Sequence, residues 1–276
     1  MLTYFIRVEK DILIWYNVDV YFFEIAGMGF MKNYKITIQY DGMRYSGWQV
    51  QKCTPDTIQG KIEHILETLA GHPVEIMGSG RTDAGVHALG QVANFHIEDN
   101  FSEQEIFEWI NRHLPKDIAV TAIEEVDERF HSRFSAVKKT YVYRIHTGIV
   151  SNVFERKYVY DYSEKLDAEA MKQAAALLVG THDFKSFCGN RKMKKSTVRT
   201  IYDIDIKQSD DEITISYTGN GFLMNMVRIL TGTLIEVGDG RRKAESMPQI
   251  LEALDRDAAG YTAPPQGLIL KEVIYK

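Results

Sequence analysis

The sequence is poor in cysteine and has no excess of positive charge, and each shortage excludes a class of protein. Its 276 residues include only two cysteines, Cys53 and Cys188. Two cysteines cannot build a disulfide framework, and their positions give neither a CxxC motif nor a zinc-ligand spacing. We therefore predict an intracellular chain that uses no metal. With 33 Lys and Arg against 38 Asp and Glu, the net charge is −5. This excludes an overall basic nucleic-acid-binding coat but allows a local basic face.

The sequence also has no long hydrophobic run. Residues 1–30 are rich in aromatic side chains, but charged residues interrupt them every few positions. No apolar stretch approaches the roughly 18–20 residues of a transmembrane helix, and a signal peptide would need an uninterrupted apolar region. Two interpretations remain for this segment: an extra strand, or an extension that is not native. The second has a reason, because the sequence from Met31 reads like the start of a folded domain, with translation beginning at Met28 or Met31.

What is present is the composition of an ordinary globular protein, with 45% hydrophobic and 26% charged residues. The length allows one large domain or two modest ones. No low-complexity segment and no repeat of 20–50 residues occurs. The chain shows no obvious linker either, which predicts two tightly packed halves, residues 31–130 and residues 131–276.

Hydrophobic periodicity predicts a mixture of strands and helices. Strands are predicted at residues 34–40, 118–126, 134–146, 156–161, 199–206, 212–217 and 268–275. Helices are predicted at residues 58–69, from Ser102 to the region of Pro115, and at about 167–179, 222–236 and 247–255. This order favours an α+β fold in which two similar α/β halves share one extended mixed, mainly antiparallel sheet, with helices on one side.

Residues 78–95 form the most unusual segment, because four glycines fall within its first thirteen positions. Such a density implies unusual backbone angles or the close approach of a ligand. The segment matches neither a P-loop, nor a GxGxxG dinucleotide loop, nor a GxSxG nucleophile elbow. It does place Arg81 and Asp83 two residues apart, on the same side of an extended loop. A carboxylate beside a cation stays ionised and available as a nucleophile or base; the alternative is a surface ion pair in a structural turn.

Two further segments carry many basic residues. Residues 129–144 interleave basic and aromatic groups on a strand pattern, with Tyr141 and Tyr143 on one face. Residues 191–199 contain five cations in nine positions. Aromatic faces among cations suit base stacking and phosphate contacts. The alternatives are an edge strand with core tyrosines for the first segment and a solvated loop for the second.

A third cluster, residues 217–232, places Arg228 within an apolar helical stretch. An unpaired buried charge is costly, so Arg228 needs a partner. Asp83 is the carboxylate with the best reason to be there. The alternative is that Arg228 extends to solvent or to a backbone carbonyl.

Together these segments resemble one family, tRNA pseudouridine synthase A. Residues 80–88, GRTDAGVHA, resemble its catalytic loop. The other matching signatures lie at residues 130–136, 139–143, 180–184, 221–228 and 262–268. The resemblance runs from Met31 to Lys276 in order, whereas residues 1–30 have no counterpart in it.

The resemblance implies a role for each matching residue. Asp83 would be the catalytic aspartate and Arg228 its partner, while Arg81 would help to hold the nucleotide out of the stem and Tyr141 would stack on the target base. It also implies an RNA-binding cleft and a cytoplasmic homodimer, with no cofactor and no membrane. Its substrate would be tRNA, in which uridines 38, 39 and 40 of the anticodon stem-loop become pseudouridine.

The chemistry agrees with this interpretation. Isomerisation breaks the N1–C1′ bond of uridine and forms a C5–C1′ bond without redox chemistry or energy input, which suits a chain that lacks nucleotide and metal motifs. Asp83 could attack C1′, abstract the 2′-proton or add to C6. Two other hypotheses remain open: a non-catalytic RNA-binding module, and a nucleoside or glycoside hydrolase, which would normally need a second carboxylate.

Overall fold

The computed structural model describes residues 31–276, so both interpretations of residues 1–30 concern a segment outside the described residues. The strands are β1 (Met31–Tyr40), β2 (Met77–Gly78), β3 (His87–Glu98), β4 (Ile118–Val126), β5 (Ala136–His146), β6 (Tyr160–Asp161), β7 (Gly180–Asp183), β8 (Val198–Ser209), β9 (Glu212–Gly219) and β10 (Leu268–Tyr275). The α-helices are α1 (Ile58–Ala70), α2 (Glu103–His113), α3 (Ala168–Ala176), α4 (Met226–Gly238) and α5 (Met247–Ala253). None of the helices within this range has the length and apolar character needed to cross a bilayer.

The ten strands form one sheet in the order β4-β1-β3-β10-β5-β9-β8-β7, with β2 beside β3 and β6 beside β5. Two pairs are parallel, β10 with β3 and β6 with β5, and the other pairs are antiparallel. The last strand, β10, lies between β3 and β5 and so joins the two groups of strands into one sheet. The predicted α+β class with a mixed, mainly antiparallel sheet is confirmed.

Local sequence signals account for the helix ends. The Thr57 side chain caps α1 by accepting a hydrogen bond from Gly60 N, and α1 ends at Gly71 in the left-handed conformation, with φ of 79°. The predicted capping box at the start of α2 is present, since Ser102 and Glu105 satisfy each other's backbone N–H groups.

Two predicted boundaries need correction, and one long strand was missed. The strand predicted at 156–161 is reduced to β6, because backbone bonds such as Tyr158 N to Glu155 O close turns before it. The helix predicted from residue 222 begins at Met226, because Asn225 takes the left-handed conformation, with φ of 57°. The long strand β3 was not predicted. Nearly every residue of β3 is buried, so it lacks the alternation that marks a half-exposed strand.

The core surrounds the region where the sheet meets the glycine-rich loop. The largest fully buried side chains include Trp48, Tyr34, Tyr143, Tyr217 and Phe95. They come from both groups of strands and from the loop after β1. The loop that leads into β3, the strand β5 and the start of α4 therefore share one hydrophobic core.

Candidate active site

An open cleft of about 920 Å³ lies where the loop before β3, the strand β5 and the turn before α4 come together. In the described part of the chain, one carboxylate lines it, that of Asp83. Five cations line the same cleft: Arg81, Arg133, Lys139, Arg199 and Arg228. A net-negative chain thus presents a positively charged groove with a single acid in it, which is the segregation that nucleic-acid binding requires.

Asp83 is held by two side chains from the other end of the sequence. Arg228 Nη1 donates to Asp83 Oδ2 at 3.2 Å, with 15% of the Arg228 side chain and 30% of the Asp83 side chain exposed. In the amide orientation that satisfies its hydrogen bonds, Asn225 Nδ2 lies 2.5 Å from Asp83 Oδ2 and 3.2 Å from Oδ1. Both contacts are made to the carboxylate oxygens and hold the Asp83 side chain in place in the cleft.

Arg228 is itself fixed by the segment that precedes β10. Its Nε donates to Ala263 O at 2.7 Å, and Ala263 N donates back to Arg228 O at 3.0 Å. The neighbouring Pro264 O accepts a hydrogen bond of 2.7 Å from Tyr143 OH on β5. The guanidinium therefore bridges α4, this segment and the loop that carries Asp83.

The loop residue before Asp83 is anchored to the core. Thr82 is buried, its Oγ1 is 2.9 Å from Tyr40 OH, and its carbonyl accepts from Trp48 N at 3.1 Å. Gly47, with φ of +93°, makes this approach possible, because a Cβ there would lie 2.7 Å from Thr82 O. The loop is thus pressed between two parts of the core, which fixes the position of Asp83.

Tyr141 forms an aromatic wall of the cleft. It is only 8% exposed and packs edge-to-face on Phe222, with ring centroids 5.3 Å apart. Burial, together with the nearby Tyr40 and Asp83, raises the pKa of the Tyr141 phenol well above its usual value. The side chain therefore stays neutral and offers a fixed, uncharged aromatic surface next to the carboxylate.

Four of the five cleft cations form no ion pair with a carboxylate within residues 31–276: Arg81, Arg133, Lys139 and Arg199. Arg81 is exposed and its Nε donates to Gln49 Oε1 at 3.0 Å. By contrast, several arginines outside the cleft, such as Arg144, are paired with acids. Cations that lack a carboxylate partner are available to phosphate groups.

Lys139 is the most buried of these cations. Its Nζ donates to Ser79 O at the start of the glycine-rich loop. Burial, with a smaller contribution from Arg133, lowers the pKa of Lys139 to about 8. Its charge is therefore sensitive to pH near the physiological range.

The structure brings Asp83, Arg81, Tyr141 and Arg228 to the same cleft, and the pairing of Asp83 with Arg228 expected from the sequence is present. Only part of the basic run at 191–199 contributes. Its Arg199 lines the cleft, whereas Arg191 pairs with Asp257 outside it.

Sequence reasoning missed two site residues, Asn225 and Lys139. Asn225 carried one usable signal, because asparagine is enriched at left-handed positions among non-glycine residues. Lys139 lies in a recognised motif, but its burial and its contact with Ser79 are set by tertiary packing.

The chain is similar in sequence to known proteins of one family. The sequence model described as tRNA pseudouridine synthase matches residues 36–135 and 174–276. The chain is 46% identical over 243 residues to tRNA pseudouridine synthase A 2 of Bacillus anthracis, covering 88% of this chain and 99% of that protein. It is 48% identical over 245 residues to tRNA pseudouridine synthase A of Bacillus sp. (strain KSM-64), covering 89% of this chain and all of that protein, 100%. Among solved structures, a chain of a Cbf5-Nop10-Gar1 complex is similar at 10% identity with a TM-score of 0.35, covering 73% of this chain and 45% of that one.

Proposed function

The chain belongs to the tRNA pseudouridine synthase family, and we propose that it converts uridines 38, 39 and 40 of the tRNA anticodon stem-loop to pseudouridine with Asp83 as the catalytic nucleophile. The observation that carries this proposal is the single carboxylate of the cleft, held by Arg228 Nη1 at 3.2 Å and by Asn225. These contacts position the Asp83 carboxylate in a groove whose remaining charges suit an RNA backbone.

The residues around Asp83 have different roles in the proposed isomerisation. The target uridine has to leave the helical stack, which costs a few kcal/mol. Stacking on Tyr141 supplies roughly 1–3 kcal/mol toward that cost. Arg81 lies exposed at the edge of the cleft, where it contacts the backbone of the displaced nucleotide.

The reaction itself needs only the carboxylate and solvent protons. The N1–C1′ bond breaks and the base turns over. C5 then bonds to C1′, after which the hydrogen on C5 leaves as a proton and N1 carries one. Attack by Asp83 on C1′ and its addition to C6 both start from the ionised carboxylate. No electrons enter or leave, so the products balance the substrate.

The hydrolase alternative has less support from the site. Glycoside hydrolysis normally uses a second carboxylate about 5–10 Å from the first. Among the described residues, Asp83 is the one carboxylate that lines the cleft. An isomerase needs no activated water, and it retains the base that a hydrolase would release as free uracil.

The same resemblance supports two further parts of the proposal: the active species is a homodimer, and it acts in the cytoplasm. Sedimentation equilibrium tests the first part, with twice the chain mass expected and the single-chain mass contradicting it. Cell fractionation tests the second.

The target positions are tested on unmodified tRNA transcripts with one uridine at position 38, 39 or 40 and a matched transcript with uridine only at loop positions outside this range. Carbodiimide treatment and primer extension then locate pseudouridine. We expect new stops at 38, 39 and 40 and none in the matched transcript. Stops confined to other positions would contradict the assignment of the target.

A further inference from the structure

A second, smaller cavity of about 210 Å³ adjoins the catalytic cleft. Both are lined by Gln49, Gly80, Arg81 and Arg133, so they form one continuous surface. The second cavity adds an aromatic side chain that the first does not have, Phe134, which is 79% exposed. A single exposed apolar residue is common and needs no explanation. Phe134 differs because it lies beside a positively charged groove of the kind that binds nucleic acids.

Phe134 lies on a tightly bonded turn. Ser135 N donates to His131 O at 2.9 Å, and His131 N donates to Ser135 Oγ at 3.1 Å. The turn is tied to the sheet by Ser132, whose N donates to Asn94 Oδ1 on β3 at 2.9 Å and whose hydroxyl donates to Met77 O on β2. The exposure of the ring is therefore a fixed feature of the turn.

The ring also has an aromatic support. His131 lies against Phe134, with ring centroids 4.3 Å apart and planes tilted by 45°. The imidazole is held in turn, because its Nδ1 accepts a hydrogen bond from Arg133 N at 3.1 Å. The pair leaves most of the Phe134 surface open to solvent, as a stacking platform for a flat ligand requires.

The charges next to Phe134 indicate which flat ligand fits. Arg133 and Arg81 are exposed and form no ion pair with a carboxylate in the described range 31–276. Glu75 is the one carboxylate that lines this cavity within that range. An aromatic platform between unpaired guanidinium groups matches a nucleotide, with its base on the ring and its phosphates on the cations.

We propose that Phe134, supported by His131 and flanked by Arg133, is a stacking subsite for an unpaired base next to the target uridine. The inference rests on the proposed function, since it takes the target uridine to occupy the cleft at Asp83 and Tyr141. Phe134 then holds the neighbouring nucleotide, and Arg133, which lines both cavities, contacts the phosphate that joins the two. Tyr141 and Phe134 thus each stack on one of the two neighbouring bases.

The test uses anticodon stem-loop RNA that carries 2-aminopurine at one loop position at a time, because this base loses fluorescence when it stacks. Binding is measured with Asp83→Asn in each variant, so that no turnover occurs. We expect strong quenching at one position adjacent to the target, lost in Phe134→Leu and retained in Phe134→Trp. Phe134→Leu should weaken binding by roughly 5- to 100-fold, as expected for the loss of stacking on one base.

The matched control is Phe154→Leu, since Phe154 is 87% exposed and lines neither cavity. It should leave both the quenching and the dissociation constant unchanged. If quenching and affinity in Phe134→Leu equal those of the protein with Phe134 intact, the subsite is overturned. A loss of equal size in Phe154→Leu would overturn it as well, because the effect would then not be specific to the platform.

The failure of this inference is distinguishable from failure of the proposed function. The chain with Asp83 intact is assayed for pseudouridine on the same RNA. Product formation together with an unaffected Phe134→Leu variant would overturn only the subsite. Absence of product would overturn the proposed function, and with it the subsite that rests on it.

Discussion

Arg228 Nη1 lies 3.2 Å from Asp83 Oδ2, although 145 positions separate the two residues in the sequence. Asp83 comes from the loop before β3, whereas Arg228 belongs to the first turn of α4. In the sheet, β3 is separated from β5 by β10, and α4 follows β9, the neighbour of β5. The ion pair thus links the two groups of strands that β10 joins.

Arg228→Lys is expected to lower kcat for pseudouridine formation by roughly 10- to 100-fold, the cost of losing a charge-assisted hydrogen bond. Lysine keeps the charge but cannot contact Asp83 Oδ2 and Ala263 O with the same planar group. Single-turnover kinetics measure the effect on the chemical step, and the dissociation constant for tRNA measures the effect on binding. The control is Arg144→Lys, a carboxylate-paired arginine outside the cleft, which should leave kcat nearly unchanged. A kcat for Arg228→Lys within about twofold of the unsubstituted chain would contradict the positioning role.

Asn225→Asp should reduce activity far more than Asn225→Gly. The aspartate places a second negative charge 2.5–3.2 Å from the Asp83 carboxylate and removes a donor. Glycine removes the donor but accepts the left-handed backbone at this position, where φ is 57°. Initial rates and urea unfolding are measured for both. Equal activities of the two variants would show that Asn225 does not act on Asp83.

Gly47→Ala should lower kcat because its Cβ would press on Thr82 O, 2.7 Å away, and displace the loop that carries Asp83. Gly71→Ala is the matched control. Its φ of +79° is equally unfavourable for alanine, but its Cβ would meet nothing within 4 Å. We expect Gly71→Ala to lose about 1 kcal/mol of unfolding free energy with normal kcat. A comparable fall in kcat in both variants would argue against a positional effect of Gly47.

Lys139 should make stability depend on pH between about 8 and 10.5. Its pKa is lowered to about 8 in the folded chain from 10.5, so in this range the unfolded state binds more protons and stability rises with pH. Urea unfolding of the unsubstituted chain and of Lys139→Met is compared at pH 7.5 and 10. The difference in unfolding free energy should shift by on the order of 1–2 kcal/mol in favour of lysine at the higher pH. A difference in unfolding free energy that does not change with pH would show that burial does not lower the pKa of Lys139.

The sequence alone was sufficient for the fold class and for most elements of regular periodicity. The strand predicted at 118–126 and the last strand at 268–275 match β4 and β10. Each of these strands has one face that is more exposed than the other, so apolar and polar residues alternate along its sequence. β3 escaped detection because a strand that is buried on both faces shows no alternation, and because it directly follows the glycine-rich loop.

The residues of the candidate site, like the strands, include some that the sequence alone identifies and some that it does not. Arg81, Asp83 and Arg228 stand out because they are charged residues in a glycine-rich loop or an apolar helical stretch, whereas Tyr141 was assigned through the resemblance to the family. Asn225 does not stand out. Its importance arises from a backbone angle and a contact across the fold, which no local pattern encodes. The position of Phe134 next to the cleft likewise depends on how its turn is tied to β2 and β3.

The most direct test of the central claim compares the unsubstituted chain with Asp83→Asn on tRNA labelled with tritium at C5 of uridine. Formation of the C5–C1′ bond releases the C5 hydrogen, so tritium in the solvent reports the isomerisation itself. We expect the unsubstituted chain to release the tritium carried by the converted uridines and Asp83→Asn to release none. Binding of tRNA by the variant should be largely retained, because phosphate contacts supply most of the affinity. Tritium release by Asp83→Asn at a rate near that of the unsubstituted chain would contradict the account.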